Sequence, residues 1–207
     1  MAPKTKFKPR PILTPTGMLM FNHLTTKSPR FPGGDPVFNF VLLMDNEKPL
    51  GAKASAEWKD MRAGIAEAID AEWGVGKSQD AAFVNKLQLP IHDATEKSKY
   101  TGFVAGKVYI SPWTKEAPRI DNLQRKPILD PNDIWAGQLA RAVVVFFPYD
   151  YSANSKGVGV MLNGVQIMKS DMPRMDGRTS GANGPSAFPD DQAPGAGEDE
   201  EDADSIF

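Results

Sequence analysis

The chain has 207 residues, 41% of them hydrophobic, and no cysteine, which excludes a disulfide framework and thiolate zinc sites and fits a reducing compartment. No apolar run approaches the roughly 20 residues of a membrane span, and Met1-Ala2-Pro3-Lys4-Thr5-Lys6 has no apolar segment behind its charges, so no secretory signal is expected. Residues 179–207 hold eight Asp or Glu and no Lys or Arg, so the formal total of -2 divides into -8 there and +6 over residues 1–178.

Taken in order, the first 36 residues contain Pro3, Pro9, Pro11, Pro15, Pro29, Pro32 and Pro36 with Lys4, Lys6, Lys8 and Arg10. Proline fixes φ and removes a donor, so this stretch predicts an extended, solvent-facing arm, with residues 1–10 as its basic part. Within it only Gly17 to Leu24 reads as a strand. Val37-Phe38-Asn39-Phe40-Val41-Leu42-Leu43-Met44 predicts a buried strand, ended by Asp45-Asn46-Glu47. Between Ala52 and Trp73, the spacing of Trp58, Met61, Ile65, Ile69 and Trp73 places them on one face of a helix, which assigns Trp58 and Trp73 to the core. Gly74 and Gly76 stop that helix.

Gly76-Lys77-Ser78 imitates a phosphate-binding loop, but such a loop needs an earlier glycine where Ala71 stands and must run from a strand into a helix. Residues 79–100 are polar and mixed and predict no particular element. From Phe103 to Ser111 the pattern turns to β, with Val104, Gly106, Val108 and Ile110 on one face and Phe103, Ala105, Lys107 and Tyr109 on the other. Two aromatics beside a cation suit a surface that stacks bases, and a packed edge would look the same. Trp113, Lys115, Arg119, Arg125 and Lys126 continue this character through a Pro-punctuated loop. Ala140 to Tyr151 and Gly157 to Lys169 form a long β-hairpin around Ser152-Ala153-Asn154-Ser155. Val158, Val160 and Leu162 share one parity while Val165 and Ile167 take the other, so a bulge is predicted at Asn163-Gly164. Bent strands of this kind with one amphipathic helix predict a mainly β protein, an OB-type antiparallel barrel over residues 11–175.

The chain closes on Glu198-Asp199-Glu200-Glu201-Asp202-Ala203-Asp204-Ser205-Ile206-Phe207, part of an acidic segment over residues 176–207. Its charge density argues against an independent fold and predicts a disordered tail, and its apolar tip suits a peptide that docks by its end. A basic body with a tethered acidic segment also suggests a polyanion-binding surface that the segment can occupy until a stronger polyanion arrives.

Trp135-Ala136-Gly137-Gln138-Leu139-Ala140-Arg141-Ala142, Phe147-Pro148-Tyr149-Asp150 and Gly157-Val158-Gly159-Val160-Met161-Leu162-Asn163-Gly164-Val165-Gln166 resemble the single-stranded-DNA-binding proteins of tailed bacteriophages, which have an OB fold and an acidic tail ending in Phe. The resemblance is strongest over about residues 130–170 and the terminus and extends to Phe38 to Met44. It implies a protein that coats single strands in DNA replication, recombination and repair in the cytoplasm of an infected bacterium, with no cofactor and no membrane partner. It also implies a tail that recruits replication or recombination proteins through Asp202, Asp204, Ile206 and Phe207. The tip is similar to the Ile-Pro-Phe end of cellular single-stranded-DNA-binding proteins, with Ser205-Ile206-Phe207 and no proline here.

A strand-coating protein needs cations for phosphates and aromatic faces for bases of any identity. The stacking candidates are Phe103, Tyr109, Trp113, Tyr149 and Tyr151, and the backbone candidates Lys107, Lys115, Arg119, Arg141 and Lys156. The basic surface would attract duplex DNA as well, and the oligomeric state is open. Two other readings compete. A metal-dependent phage nuclease would use carboxylates such as Asp130 and Asp133, although Asp130-Pro131-Asn132-Asp133 is also turn material, and His23 and His92 lack any ligand-like spacing. A non-enzymatic adaptor would use the acidic tail as a nucleic-acid mimic.

Overall fold

The structure is a computed structural model and describes residues 7–46, 52–152, 155–169 and 171–175. Nine strands are assigned among them: β1 (Ile12–Leu13), β2 (Gly17–Pro29), β3 (Pro36–Asp45), β4 (His92–Asp93), β5 (Lys107–Ile110), β6 (Trp113–Thr114), β7 (Arg119–Asp121), β8 (Leu139–Ser152) and β9 (Ser155–Lys169). Helix α1 (Ala52–Trp73) follows β3, and the single-turn α2 (Ala81–Val84) follows α1.

The pairings close on themselves. β8 pairs with β2, β2 with β3, β3 with β6, β6 with β9, and β9 returns to β8; only the β6–β9 step is parallel. A sheet that meets itself is a barrel, and this mixed five-step circuit is that of an OB-type fold. Two features bend the strands enough to close it. On β2, Phe21 and Asn22 between Met20 and His23 stand opposite the single Phe40 of β3, so Phe21-Asn22 bulges and Phe21 sits at φ 46°. On β9, Val143 faces Gly164 while Val144 faces Leu162, which leaves Asn163 as the extra residue. The predicted bulge is present, and it lets Val158, Val160, Leu162, Val165 and Ile167 all face the core despite their opposite parities.

Helix α1 turns Trp58, Met61, Ile65, Ala68 and Ile69 into the same core as Phe40, Leu42, Val144 and Phe146. Its Gly64 allows close approach, since a Cβ there would collide with Ile12 on β1 and crowd Phe146. Trp73 is only half-buried, packing on Phe83 at 5.7 Å and donating to Asp150 at 3.2 Å, so it caps the helix end outside the central core.

Three local expectations are corrected. The Pro-rich stretch is not a free arm beyond its first residues: β1 pairs with β8, and buried Thr14 binds Ala142 twice, donating its N–H to the carbonyl and accepting the amide through Oγ1, each at 2.9 Å. Strand β2 extends to Pro29 and not only to Leu24. The strand expected over Phe103 to Ser111 shrinks to Lys107–Ile110, because residues 101–106 form turns, with Gly102 and Gly106 at positive φ. Residues 79–100 resolve into α2, β4 and two 3-10 turns. Gly76-Lys77-Ser78 is spent on local structure, since both the N–H and the hydroxyl of Ser78 donate to Asp70. The described residues all belong to one compact unit.

Candidate nucleic-acid interface

Three segments meet on the outer face of the barrel. The turn between β2 and β3, residues 30–35, is punctuated by Pro32, Gly33 and Gly34 and presents Arg30 and Phe31, the latter 64% exposed. Strand β6 presents Trp113, opposite Asn39 of β3, after Pro112 interrupts the run from β5. The far half of β8 presents Phe147, Tyr149 and Tyr151, which alternate with the buried Phe146 and so share the outward face. Together with His92 and the 88–90 segment they line an open cleft of about 420 Å³.

Inside the cleft the rings are held in a row. Trp113 meets Phe147 edge-on, at 6.4 Å and 78°, and Tyr149 stacks on Tyr151 at 5.4 Å and 26°. Phe147 lies against Gly159, its ladder partner on β9, where any Cβ would run into the ring. The Tyr149 hydroxyl donates to Gln88 Oε1 at 2.7 Å, and Tyr151 is 80% exposed. The Arg30 guanidinium stands 5.7 Å from the centre of the Trp113 ring and donates to the Ser111 carbonyl at 3.4 Å.

Crowding shapes the charges. Arg30 remains exposed by area, yet the side chains around its guanidinium desolvate it and lower its pKa, with Tyr149 acting in the opposite direction. Arginine stays protonated all the same, so the cleft offers a weakly hydrated cation that gains from an incoming phosphate. Burial raises the Tyr149 hydroxyl above the usual tyrosine value, Tyr151 adds to the rise, and Arg30 opposes it. His92 is pushed below the ordinary imidazole value by burial, against Glu96, with Lys97 and Arg30 reinforcing the fall.

The ten residues expected to bind DNA do not converge. The cleft gathers Trp113, Tyr149 and Tyr151. Lys156 pairs with Asp150 beside them in the β8–β9 ladder, its ammonium 5.6 Å from the Phe83 ring, and Lys115 flanks the 30–35 turn in an exposed 4.0 Å pair with Asp35. Phe103 and Tyr109 offer no face to a base. Phe103 is 2% exposed, and Tyr109 is buried with its hydroxyl on Glu96, which together push its pKa up to about 12. Their burial follows from the 94–106 segment, which folds back over the outer faces of β3 and β5 and makes a second apolar cluster with Val41 and Leu43. Lys107 pairs with Asp45 at 3.8 Å. Arg119 and Arg141 line a different cleft of about 440 Å³ with Arg125, at the opposite end of the outward β8 row from Phe147; Asp121 holds Arg119 at 2.9 Å, and Arg141 donates to Gln166 at 2.9 Å and approaches Glu57 at 3.9 Å. Asp130 accepts the Asn132 N–H at 2.8 Å, so the Asp130 to Asp133 stretch is a turn. Asp202, Asp204, Ile206 and Phe207 lie outside the described residues.

Sequence reasoning missed Arg30, Phe31, His92 and Phe147. The parity that sets Tyr149 and Tyr151 outward also sets Phe147 outward, so that signal was present. A basic-aromatic pair inside a Pro/Gly turn between two strands was a second signal, whereas nothing local marks His92.

The family model described as Enterobacter phage Enc34, ssDNA-binding protein, matches residues 14–197. No curated protein sequence matches the chain. Among solved structures, the single-stranded DNA-binding protein from bacteriophage Enc34 in complex with ssDNA is similar with a TM-score of 0.60 at 20% identity, covering 78% of this chain and 87% of that one. Its C-terminal truncation gives 0.59 at 20% identity over 78% and 86%. The gp2.5 protein, a single-stranded DNA binding protein encoded by bacteriophage T7, gives 0.55 at 13% identity over 83% and 91%. These likenesses share the barrel.

Proposed function

Since the chain belongs to the family of phage single-stranded-DNA-binding proteins matched by the Enc34 model, we propose that it coats single-stranded DNA through the aromatic cleft, with little base preference and without catalysis. The observation that carries this reading is the row Trp113, Phe147, Tyr149 and Tyr151 with Arg30 across it, between the β2–β3 turn and the ends of β8 and β9 that their loop joins. In OB barrels that side and those two loops hold oligonucleotides. Stacking on a ring is worth about 1–3 kcal/mol per base and accepts any base, because every base has a π-face. Ring stacking and phosphate contacts do not address base edges, so identity goes unread.

Arg30, Lys115 and Lys156 take phosphates around the cleft, and Arg119 and Arg141 do so where a strand continues along the β8 face. Lys115 can exchange Asp35 for a phosphate at little expense, since exposed ion pairs of this kind contribute under about 1 kcal/mol. The acidic segment from residue 179 competes for the same cations and recruits replication or recombination proteins through its Ile206-Phe207 tip. The protein works in the cytoplasm of the infected host; among the described residues no helix is long and apolar enough to cross a membrane.

The test is fluorescence anisotropy on labelled oligo-dT and a matched duplex at low and moderate salt, with the full chain and with Trp113→Ala and Tyr149→Ala. Salt-sensitive binding that favours the single strand and weakens by about 1–3 kcal/mol in each variant is expected. A full chain that ignores oligo-dT overturns the reading.

A further inference from the structure

We infer that the single strand does not end at the cleft but crosses His92 onto a second, shallower platform built from Phe21, Lys97, Lys99 and Tyr100. The inference rests on the cleft being the single-strand site and extends that site.

The platform begins where the cleft stops. His92 lines the cleft and stacks on Tyr109 at 5.1 Å with ring planes 20° apart. Tyr109 faces Leu43 across the ladder, whereas Trp113 faces Asn39, so the two rings are separated by about 13 Å along β3 at the usual strand rise. Beyond Tyr109 the cations and rings continue. The Lys97 ammonium stands 5.2 Å from the Tyr109 ring and 5.8 Å from the Phe21 ring. Tyr100 meets Phe21 edge-on at 4.8 Å and 80°, and Lys99 stands 5.0 Å from the Tyr100 ring.

These groups also cover the outer apolar cluster, and covering alone would explain Phe103, which is buried beneath them. It does not explain Tyr100, which stays 39% exposed, or two lysines aimed at rings, which a cover does not need. The nearby acids are engaged within their own segment: Glu96 accepts the Tyr109 hydroxyl and faces His92, and Asp93 accepts from the Thr95 N–H and hydroxyl. Among the described residues neither Lys97 nor Lys99 is in an ion pair. Both ammonium groups can therefore pass from a ring to a phosphate, which frees the Tyr100 face for a base. Cations beside an exposed aromatic face, here Lys97 and Lys99 around Tyr100, are what a sequence-tolerant strand path requires.

The test uses the full chain and an oligo-dT series from about 4 to about 16 nucleotides, which spans the site sizes of single OB folds. Tyr100→Ala and the double variant Lys97→Ala/Lys99→Ala alter exposed or half-exposed side chains, and unchanged thermal melting confirms their folding. On the shortest oligomer that binds, both variants should match the parent. On the longest, each should lose at least about fivefold in affinity, and the double variant should also lower the slope of log affinity against log salt by about 0.7 for each phosphate contact removed. Variants that bind long oligomers like the parent, or that weaken equally at every length, overturn the extension while leaving the cleft in place. A parent that binds no oligomer overturns the cleft reading and the extension with it.

Discussion

Arg30 and Trp113 meet beside the start of β3, one from the turn before the strand and one from the strand paired to it, and their side chains stand 5.7 Å apart as cation over ring. On the strand path proposed above, the contact sets Arg30 to serve a phosphate while Trp113 serves the adjoining base. Arg30→Ala is expected to weaken oligo-dT binding by about 1.5–3 kcal/mol, the range for hydrogen bonds to charged groups, and to lower the log-salt slope by about 0.7. Arg30→Lys should keep the slope and recover only part of the affinity, since an ammonium lacks the planar fork. Equal affinity for all three proteins would show that Arg30 makes no strand contact.

Gly159 is the seat of Phe147. In Gly159→Ala the new methyl falls within the Phe147 ring, and the ring, half-exposed at the cleft, is what yields. The variant should melt close to the parent but bind oligo-dT several-fold more weakly, because Phe147 can no longer lie where Trp113 meets it. Parental affinity would remove Phe147 from the stacking row.

Asn163 is the extra residue that bends β9. Leu162 faces Val144 and Gly164 faces Val143 on either side of it, so deleting it joins Leu162 to Gly164 as a regular ladder and leaves Val158, Val160, Leu162, Val165 and Ile167 all on the core side. What the deletion removes is the local bend and added twist of the bulge, which help the sheet to close. The deletion variant should keep a cooperative melt by circular dichroism at a lower midpoint, and loss of the cooperative melt would mean that closure cannot do without the bulge.

His92 gives the cleft a pH dependence. Burial lowers its folded pKa below 6.5, Lys97 and Arg30 push the same way, and Glu96 opposes them. Between the folded value and 6.5 the unfolded chain holds more protons, so stability falls as pH drops through 6.5 and this loss levels off below the folded pKa. A bound phosphate favours the imidazolium, so strand affinity should move the other way and strengthen over the same interval. His92→Gln should flatten both profiles between pH 7.5 and about 5. Parallel profiles for parent and variant would place the titration elsewhere.

Residues 179–207 carry -8 against +6 in the rest of the chain. A chain ending at Arg178 should bind oligo-dT more tightly than the full protein at low salt, with the difference closing as salt screens the competition. Weaker binding by the shortened chain would make the segment part of the binding surface and not its competitor.

Much of this architecture was legible where local rules decide it. Helix α1, the β8–β9 hairpin and the Asn163 bulge follow from spacing and parity, because burial on one face leaves only one register for each. Phe103 and Tyr109 were illegible for the opposite reason. Their alternation with Lys107 reads as an exposed face, and only the return of residues 94–106 over β3 and β5 buries them. Thr14 shows the same limit, since proline content predicts an extended chain but not the strand it lies against. Trp113 and Tyr149 were both nameable, but their convergence depends on closure of the sheet, which is a long-range event.

That closure depends at one step on a single paired position, Trp113 with Met161, between β6 and β9. The aromatic row lies across this junction, with Trp113 on one bank and Phe147 and Tyr149 on the other. A polymer seated there acts as a suture, so occupancy should slow amide exchange at β6 and β9 more than at the β2–β3 ladder, and the bound protein should resist proteolysis more than the free one.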